Sequence, residues 1–214
     1  MAKKSYFITI EGIEGAGKST AMQYLQQLLV QAHIPHCVTR EPGGTEIAEE
    51  IRHVLLKHYT EVMGADTELL LMFASRAQHI ARVILPALQT GQWVLCDRFT
   101  DATYAYQGGG RGILPERILQ IEQWVQGGLR PDYVFLLDVP AEVGLKRIKK
   151  RSAEDRIEQE KSLFFERVRQ IYLSRASAFP ARYKVIDASL ELAQVQERIR
   201  AEMELILTAD SQGE

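Results

Sequence analysis

Two patterns of apolar residues alternate along this chain. Short, mostly apolar runs rich in β-branched and aromatic side chains are typical of strands buried on both faces. They occur at 6–11, 36–39, 93–96, 133–137 and 183–186. Between them, apolar residues recur at every third or fourth position, which predicts helices that each pack one face against a sheet. These segments are 18–32, 45–58, 67–89, 115–126, 142–150, 164–179 and 191–207.

Strands that alternate with helices indicate a parallel sheet covered on both faces, the α/β class. The chain has 214 residues, which is enough for one sizeable domain with a well-buried core. Neither an internal repeat nor a low-complexity linker interrupts the pattern. We therefore expect a single domain over 1–214, built on a parallel five-stranded sheet.

Charge and composition narrow the classes of function. The net charge is −2, from 26 Lys and Arg against 28 Asp and Glu, which argues against a general nucleic-acid binder. Cys37 and Cys96 lie in strand-like runs and are typical of buried thiols in a reducing compartment. The first strand begins almost at once, without room for a signal peptide, and no uncharged stretch is long enough to span a membrane. We expect a cytoplasmic protein with no membrane partner.

The first strand leads into a glycine-rich loop and then a helix, the context that a phosphate-binding P-loop requires. Backbone N–H groups of such a loop surround phosphate oxygens, the lysine reaches the β- and γ-phosphates, and the hydroxyl after it can ligate Mg²⁺. The alternative, a glycine-rich turn that binds nothing, does not explain this context. We expect ATP and Mg²⁺ to bind here, with Ser19 as a metal ligand. The loop residues are Gly12, Ile13, Glu14, Gly15, Ala16, Gly17, Lys18, Ser19 and Thr20.

Charged residues end two further strands at the edge of the sheet where parallel folds bind ligands. Asp97 suits the Walker-B role of holding Mg²⁺, and Arg98 is placed to bridge donor and acceptor phosphates. Arg40 would anchor the acceptor phosphate as a bidentate fork. The alternative for each arginine is a structural ion pair. The guanine-reading Asn-Lys-x-Asp segment of GTPases is absent from the sequence. Among the classes of P-loop protein, we therefore expect a small kinase with a three-layer P-loop NTPase fold.

Six motifs, in order and at matching spacings, resemble the bacterial thymidylate kinases. They are 12–20, 39–45, 71–76, 97–98, 105–112 and 155–158. The resemblance implies transfer of the ATP γ-phosphoryl group to dTMP, giving dTDP and ADP on the route to dTTP, with Mg²⁺ and in a homodimer. One position departs from the family, because Ala102 stands where a serine is usual, so its hydroxyl is absent or is replaced by that of Thr103.

The resemblance also implies which residues bind the acceptor nucleotide. Phe73 would stack on thymine, Arg76 would bond a base carbonyl, and Gln107 would read the pyrimidine edge. The alternative for Phe73 is a core residue, because apolar residues at helical spacing usually are. Glu14 would face a sugar hydroxyl of the acceptor. Pro42 and Thr103 complete the expected acceptor site.

A basic run at 146–151 leads into a polar segment, and together they predict a lid at about 146–160. Arg147 and Arg151 would touch ATP, and Arg156, held by Asp155, would stabilise transition-state charge. The segment at 187–188 would pass near adenine, on resemblance. The alternative is a solvated basic helix face.

Two other functions stay open from the sequence. One is a kinase for another nucleoside or nucleotide. The other is a catalytically silent P-loop module that signals nucleotide state, against which an intact Lys18, Asp97, Arg98 and lid argue.

Overall fold

The computed structural model describes residues 4–148 and 155–212, and within them five parallel strands form one sheet. The strand order is β2-β3-β1-β4-β5. The strands are β1 (Phe7–Glu11), β2 (His36–Arg40), β3 (Trp93–Asp97), β4 (Tyr133–Asp138) and β5 (Tyr183–Asp187). All five lie where the apolar runs predict them, so the predicted sheet is confirmed.

Helices pack around this sheet and complete the predicted layers. They are α1 (Lys18–Gln31), α2 (Glu46–Leu56), α3 (Ala65–His79), α4 (Leu85–Gln89), α5 (Thr100–Thr103), α6 (Pro115–Gln126), α7 (Ala141–Ile148), α8 (Ser162–Ala178) and α9 (Leu192–Gln212). Within the described part of the chain, no helix is both long enough and apolar enough to cross a membrane.

Side chains of successive residues on β1 enter different core clusters, as the two-residue period of a strand requires. Ile8 packs with Leu25 and Leu29 of α1. Phe7, its neighbour, packs with Ile84 in a second cluster. The sheet is therefore buried on both faces, which explains why its strands are almost continuously apolar.

Two segments depart from the predicted helices. The helix predicted at 67–89 begins at Ala65 and is interrupted by a π-helical turn, Ile80–Ile84. A second π-helical segment, Tyr104–Gly110, continues α5 through a glycine run that lies outside the predicted helices. A side chain at Gly109 would lie 2.5 Å from Ile171, and one at Gly110 would overlap the ring of Phe164, both on α8. These glycines therefore allow close packing against α8.

The register brings the carboxyl ends of the central strands together. Ile10 of β1 and Arg40 of β2 are both paired with Asp97 of β3. The backbone N–H of Glu41 donates to the backbone oxygen of Asp97 at 2.9 Å, and that of Arg98 donates to the backbone oxygen of Ile10 at 3.0 Å. The loops that follow β1, β2 and β3 consequently open onto the same edge of the sheet.

A close approach between two glycines fixes the phosphate loop against α7. A Cβ on Gly15, whose φ is +73°, would overlap the backbone of Gly144. A Cβ on Gly144 would lie 2.5 Å from the backbone oxygen of Glu14. Since backbone atoms cannot move aside as a flexible side chain can, both positions require glycine.

We predict that Gly144→Ala lowers the free energy of unfolding by about 1–3 kcal/mol, the range for overpacking. Helix propensity alone would give the opposite sign, a gain of up to about 1 kcal/mol. Chemical denaturation measures the change, with Gly128→Ala as the control, because a Cβ at Gly128 meets no atom within 4 Å. A stabilised Gly144→Ala protein would contradict the prediction, because it would show that the phosphate loop can move to make room for the Cβ.

Candidate active site

A cavity opens at the carboxyl edge of the sheet and brings nine of the predicted site residues together. Predicted residues on its wall are Glu14, Gly15, Lys18, Pro42, Arg76, Asp97, Arg98, Thr103 and Gln107. Ala102, the departure from the family, also lies on this wall. Residues that the sequence did not single out are Glu41, Arg52, Leu56, Met72, Phe99, Tyr106, Ile157 and Glu158.

Lys18 lies at the start of α1 and folds back over the phosphate loop. Its Nζ donates to the backbone oxygens of Gly12 and Ile13 at 3.1 and 2.9 Å. Burial and the nearby guanidinium of Arg98 lower the pKa of Lys18 to about 8. An approaching phosphate would favour the protonated form of Lys18, so binding of an anion would raise the pKa of this amine again.

Arg98 is held over the cavity by an unusual backbone conformation and by an ion pair. Its φ is +70°, a left-handed conformation that costs free energy outside glycine. Its Nη2 donates to Glu14 Oε1 at 2.7 Å, while the hydroxyl of Tyr106 donates to the other carboxylate oxygen at 2.5 Å. The guanidinium also lies 4.5 Å from the centre of the Tyr106 ring. Arg98 is thus oriented before any ligand binds.

Glu14 balances the cations of this site. Burial opposes its ionisation, but Arg98 and Lys18 lower its pKa below the ordinary value. It is therefore a carboxylate at neutral pH. An anion inside a phosphate loop is tolerated here because it positions Arg98.

Asp97 has the features of a metal ligand that acts together with a nucleotide. Its Oδ1 is buried and has no hydrogen-bond partner among the described residues. The same part of the chain contains no cluster of three or more His, Cys, Asp and Glu side chains that could hold a metal alone. Ser19, at the exposed start of α1, offers a hydroxyl. A divalent cation would fit here if phosphate oxygens supplied further ligands.

Arg76 is fixed at the other end of the cavity by a buried chain of polar groups. Its Nε donates to Glu41 Oε2 at 2.7 Å, and Glu41 Oε1 lies 2.9 Å from Nδ1 of His79. Arg76 Nη1 is buried without a partner among the described residues. The rings of Phe73 and Phe99 lie 4.8 and 5.0 Å from its guanidinium carbon. One fixed donor therefore remains for a ligand.

Phe73 does not line the cavity. It is 1% exposed and packs in a core cluster with Leu69, Ile113 and Ile118. Met72, the preceding residue on α3, lies on the cavity wall instead. This placement matches the core alternative that the sequence left open, because one helical step of 100° moves a side chain from the cavity to the core.

Arg40 also lies off the cavity wall. Its side chain is exposed, and its Nη2 donates to Glu49 Oε2 at 2.9 Å, the ion pair that was the alternative. Arg52 of α2 lies on the wall in its place, with Nη1 donating to the backbone oxygen of Pro42 at 3.0 Å. The only sequence signal for Arg52 was its position on the helix that follows the Arg-Glu-Pro motif.

The lid segment is described only in part, since Arg151 lies outside the described residues. Arg156 packs against the end of α2: its Nε donates to the backbone oxygen of Leu55 at 2.9 Å, and its Nη2 donates to Glu68 at 2.6 Å. The expected pairing with Asp155 is wrong, because Asp155 Oδ1 instead accepts backbone N–H groups of residues 157 and 158. Asp155 caps a local turn, and Glu68 holds the guanidinium.

A second cavity also borders the phosphate loop. Loop residues on its wall are Gly15, Ala16, Gly17 and Thr20, and Leu190, Leu192 and Val195 form an apolar side. Arg147 lies at its rim, where Nη1 donates to the backbone oxygens of Gly15 and Ala188 at 3.3 and 3.0 Å. An apolar slot beside a phosphate loop suits a nucleobase, as the resemblance implied for 187–188.

The comparisons with known proteins agree over nearly the whole chain. The family model described as thymidylate kinase matches residues 10–199. A thymidylate kinase of Ectopseudomonas mendocina is 58% identical over 203 residues, covering 95% of this chain and 97% of that protein. One from Pseudomonas syringae pv. tomato is 59% identical over 190 residues, 89% of this chain and 90% of that protein.

A solved structure gives the same result for the fold. The crystal structure of thymidylate kinase from Ehrlichia chaffeensis matches with a TM-score of 0.75 and 32% identity, over 94% of this chain and 98% of that one. The predicted P-loop fold is therefore confirmed, and so is the resemblance stated from the motifs. With the family model spanning most of its length, this chain belongs to the thymidylate kinase family.

Proposed function

We propose that this protein transfers the γ-phosphoryl group of ATP to dTMP, giving dTDP and ADP. The observation that carries the proposal is that one cavity is lined by the phosphate-loop lysine, Lys18, by Arg98 and by the fixed base-end donor, Arg76. A site that joins two nucleotides must hold two anions together, which requires such a line of cations. Family membership supports dTMP as the acceptor.

The reaction needs positioning more than covalent chemistry. An oxygen of the acceptor phosphate attacks the γ-phosphorus, the bond from that phosphorus to the β-bridging oxygen breaks, and ADP leaves. The attacking dianion has no proton to lose, so no general base is required. Lys18 and Arg98 would offset charge that moves between donor and acceptor. Mg²⁺, held by Ser19 and Asp97, would supply further charge neutralisation when bound with ATP.

The acceptor would lie along the wall from Arg52 to Gln107. Arg52 takes the phosphate-anchoring role first expected of Arg40, Arg76 would donate to a base carbonyl, and Gln107 would meet the pyrimidine edge. Met72 offers the apolar contact first expected of Phe73. Thr103, adjacent to Ala102, is the hydroxyl available where the family usually has serine. Glu14 facing a sugar hydroxyl stays a prediction.

ATP would place its phosphates on the loop and its base in the second cavity, beside Arg147. A catalytic role for Arg156 stays a prediction, since its guanidinium is bound to Glu68 here. The cytoplasmic location also stays a prediction. We infer a homodimer from the family, and exposed apolar side chains on α3 and α6, Leu70, Leu119 and Trp124, offer a surface for it.

A kinase for another nucleotide and a silent module are the competing functions. An assay of ADP release with dTMP, compared with dCMP, dGMP and dAMP, separates all three. Fastest release with dTMP supports the proposal, faster release with another acceptor favours the first alternative, and no release with any favours the second.

We predict that Lys18→Ala abolishes phosphoryl transfer, because the ammonium is the loop's own cation for the β- and γ-phosphates. The coupled ADP assay measures turnover, and circular dichroism checks that the fold is retained. Lys57→Ala, which removes an exposed lysine, is the control. Turnover of the Lys18 variant at the wild-type level would refute this site.

We predict that Arg52→Ala raises the KM for dTMP by roughly 10–100-fold, the loss of one charged hydrogen bond. Arg40→Ala should change it by less than about threefold, because an exposed ion pair contributes little. Steady-state kinetics at saturating ATP tests both. If Arg40→Ala has the larger effect, the phosphate anchor is the residue that the sequence first indicated.

We predict that ATP affinity falls roughly tenfold between about pH 7 and about pH 9, as the charged fraction of Lys18 declines around its pKa of about 8. The sign follows because phosphate binds the protonated ammonium. Calorimetric titration at fixed Mg²⁺ measures it. Burial and Asp101 also raise the pKa of the neighbouring Glu11 to about 8, so Glu11→Gln is the control and must retain the fall. A flat profile would contradict the prediction.

A further inference from the structure

One buried carboxylate, Glu68 on α3, connects the acceptor cavity to the lid segment. It is 1% exposed and accepts hydrogen bonds from three side chains. The donors are Gln107 Nε2 at 2.8 Å, Arg111 Nε at 3.2 Å and Arg156 Nη2 at 2.6 Å. Arg111 is itself paired with Glu160. Glu68 lies behind the cavity wall and is not among the residues that line it.

The two arginines keep Glu68 ionised. Burial opposes ionisation, but the hydrogen bonds from Gln107 and Arg111 and the contact with Arg156 lower its pKa below the ordinary value. An ionised carboxylate can only accept hydrogen bonds. Gln107 must therefore present its NH₂ group to Glu68, and it cannot turn its amide around without facing oxygen to oxygen.

The amide oxygen is then the end of Gln107 that remains for a ligand in the cavity it lines. A free glutamine amide could offer either a donor or an acceptor to a base. Because Glu68 takes one N–H of the amide and keeps the group from turning over, the acceptor oxygen has a fixed position, while Arg76 offers a donor through its buried Nη1, which has no partner within the described part of the chain. The cavity wall thus presents an acceptor at Gln107 and a donor at Arg76, both in fixed positions.

We propose that Glu68 is a positioning residue that sets the base preference of the acceptor site by fixing the orientation of the Gln107 amide. This rests on the proposed function, in which that cavity binds the acceptor nucleotide. A thymine or uracil ring offers a donor at N3 and an acceptor at O4, which complement Gln107 and Arg76. Cytosine has an acceptor at N3 and a donor amino group at C4, so it would meet like groups at both positions.

The same arrangement does not distinguish dTMP from dUMP, because the two bases share this polar edge and differ by a methyl group. The proposal therefore concerns rejection of 4-amino pyrimidines. Bound cytosine would leave the polar groups of Gln107 and Arg76 without suitable partners, and such a penalty gives strong discrimination between bases.

The test is Glu68→Gln, which removes the constraint because a glutamine can donate as well as accept. We measure kcat/KM for dTMP and for dCMP and expect the dTMP/dCMP ratio to fall by about tenfold or more. Glu122→Gln is the matched control: Glu122 is also buried, on α6, where it accepts from the Tyr104 hydroxyl and forms an ion pair with Arg130. Its variant should lose stability and keep the ratio. An unchanged ratio in Glu68→Gln would overturn the proposal.

A double-mutant cycle tests whether Glu68 acts through Gln107. In a Gln107→Ala background, Glu68→Gln should leave the ratio unchanged, because the group that it orients is gone. An equal fall in that background would overturn the proposal and make Glu68 a general structural residue.

The exchange variant Glu68→Gln/Gln107→Glu keeps the hydrogen bond and presents an acceptor to the base, so it covers the case in which Glu68→Gln does not fold. Its ratio should stay within about threefold of wild type, and a collapsed ratio would count against the proposal. Failure of the proposed function itself looks different, since the wild-type enzyme would then not phosphorylate dTMP at all.

Discussion

Cations at the carboxyl edge of the sheet must be held in place before two phosphates arrive, and the rest of the site depends on this constraint. The structure meets it by pairing two arginines of the cavity wall with carboxylates: Arg98 has Glu14, and Arg76 has the buried Glu41. Removing such pairs from water is costly, so they are weak evidence for stability. They do fix the direction of each guanidinium, so that little reorganisation remains for the moment of reaction.

The sheet makes this arrangement possible because the register ends three strands at one level. Beneath the loop, the buried Glu11 accepts from the Phe99 N–H at 2.7 Å and from the Tyr172 hydroxyl at 2.8 Å. These bonds join β1 to the segment after β3 and to α8. The glycines at 15 and 144 complete the support, since they let α7 press directly on the phosphate loop. The loop is thus restrained from two sides.

The sequence was most informative where a pattern has a fixed period or a fixed chemistry. Strands followed from apolar runs, Lys18 followed from the phosphate-loop motif, and Asp97 and Arg98 followed from their places at a strand end. It was less informative where the answer depended on rotation about a helix or on the choice of an ion-pair partner. Met72 and Phe73 differ by a single helical step.

The choice among charged partners is a tertiary property. Arg156 could have paired with its neighbour Asp155, but it pairs with Glu68, which is 88 positions away in the chain. Arg40 pairs with Glu49, which leaves Arg52 for the cavity. Such choices depend on which side chains the folded backbone brings within reach, and local spacing does not contain that information. The close packing of the glycine run at 108–110 against α8 is another tertiary property that local spacing does not contain.

Two buried atoms without partners among the described residues show how the cavity is polarised. Arg76 Nη1 is a donor at the base end, and Asp97 Oδ1 is an acceptor at the phosphate end. Leaving such an atom unpaired costs about 1–3 kcal/mol, so native proteins rarely keep one unless a ligand or ion completes it. A carbonyl oxygen would satisfy the donor, Arg76 Nη1, and a cation would satisfy the acceptor, Asp97 Oδ1. An acceptor nucleotide whose base carries a carbonyl satisfies Arg76 in only one orientation, with its phosphate directed toward Lys18 and the phosphate loop, where Mg²⁺ bound with ATP would complete Asp97.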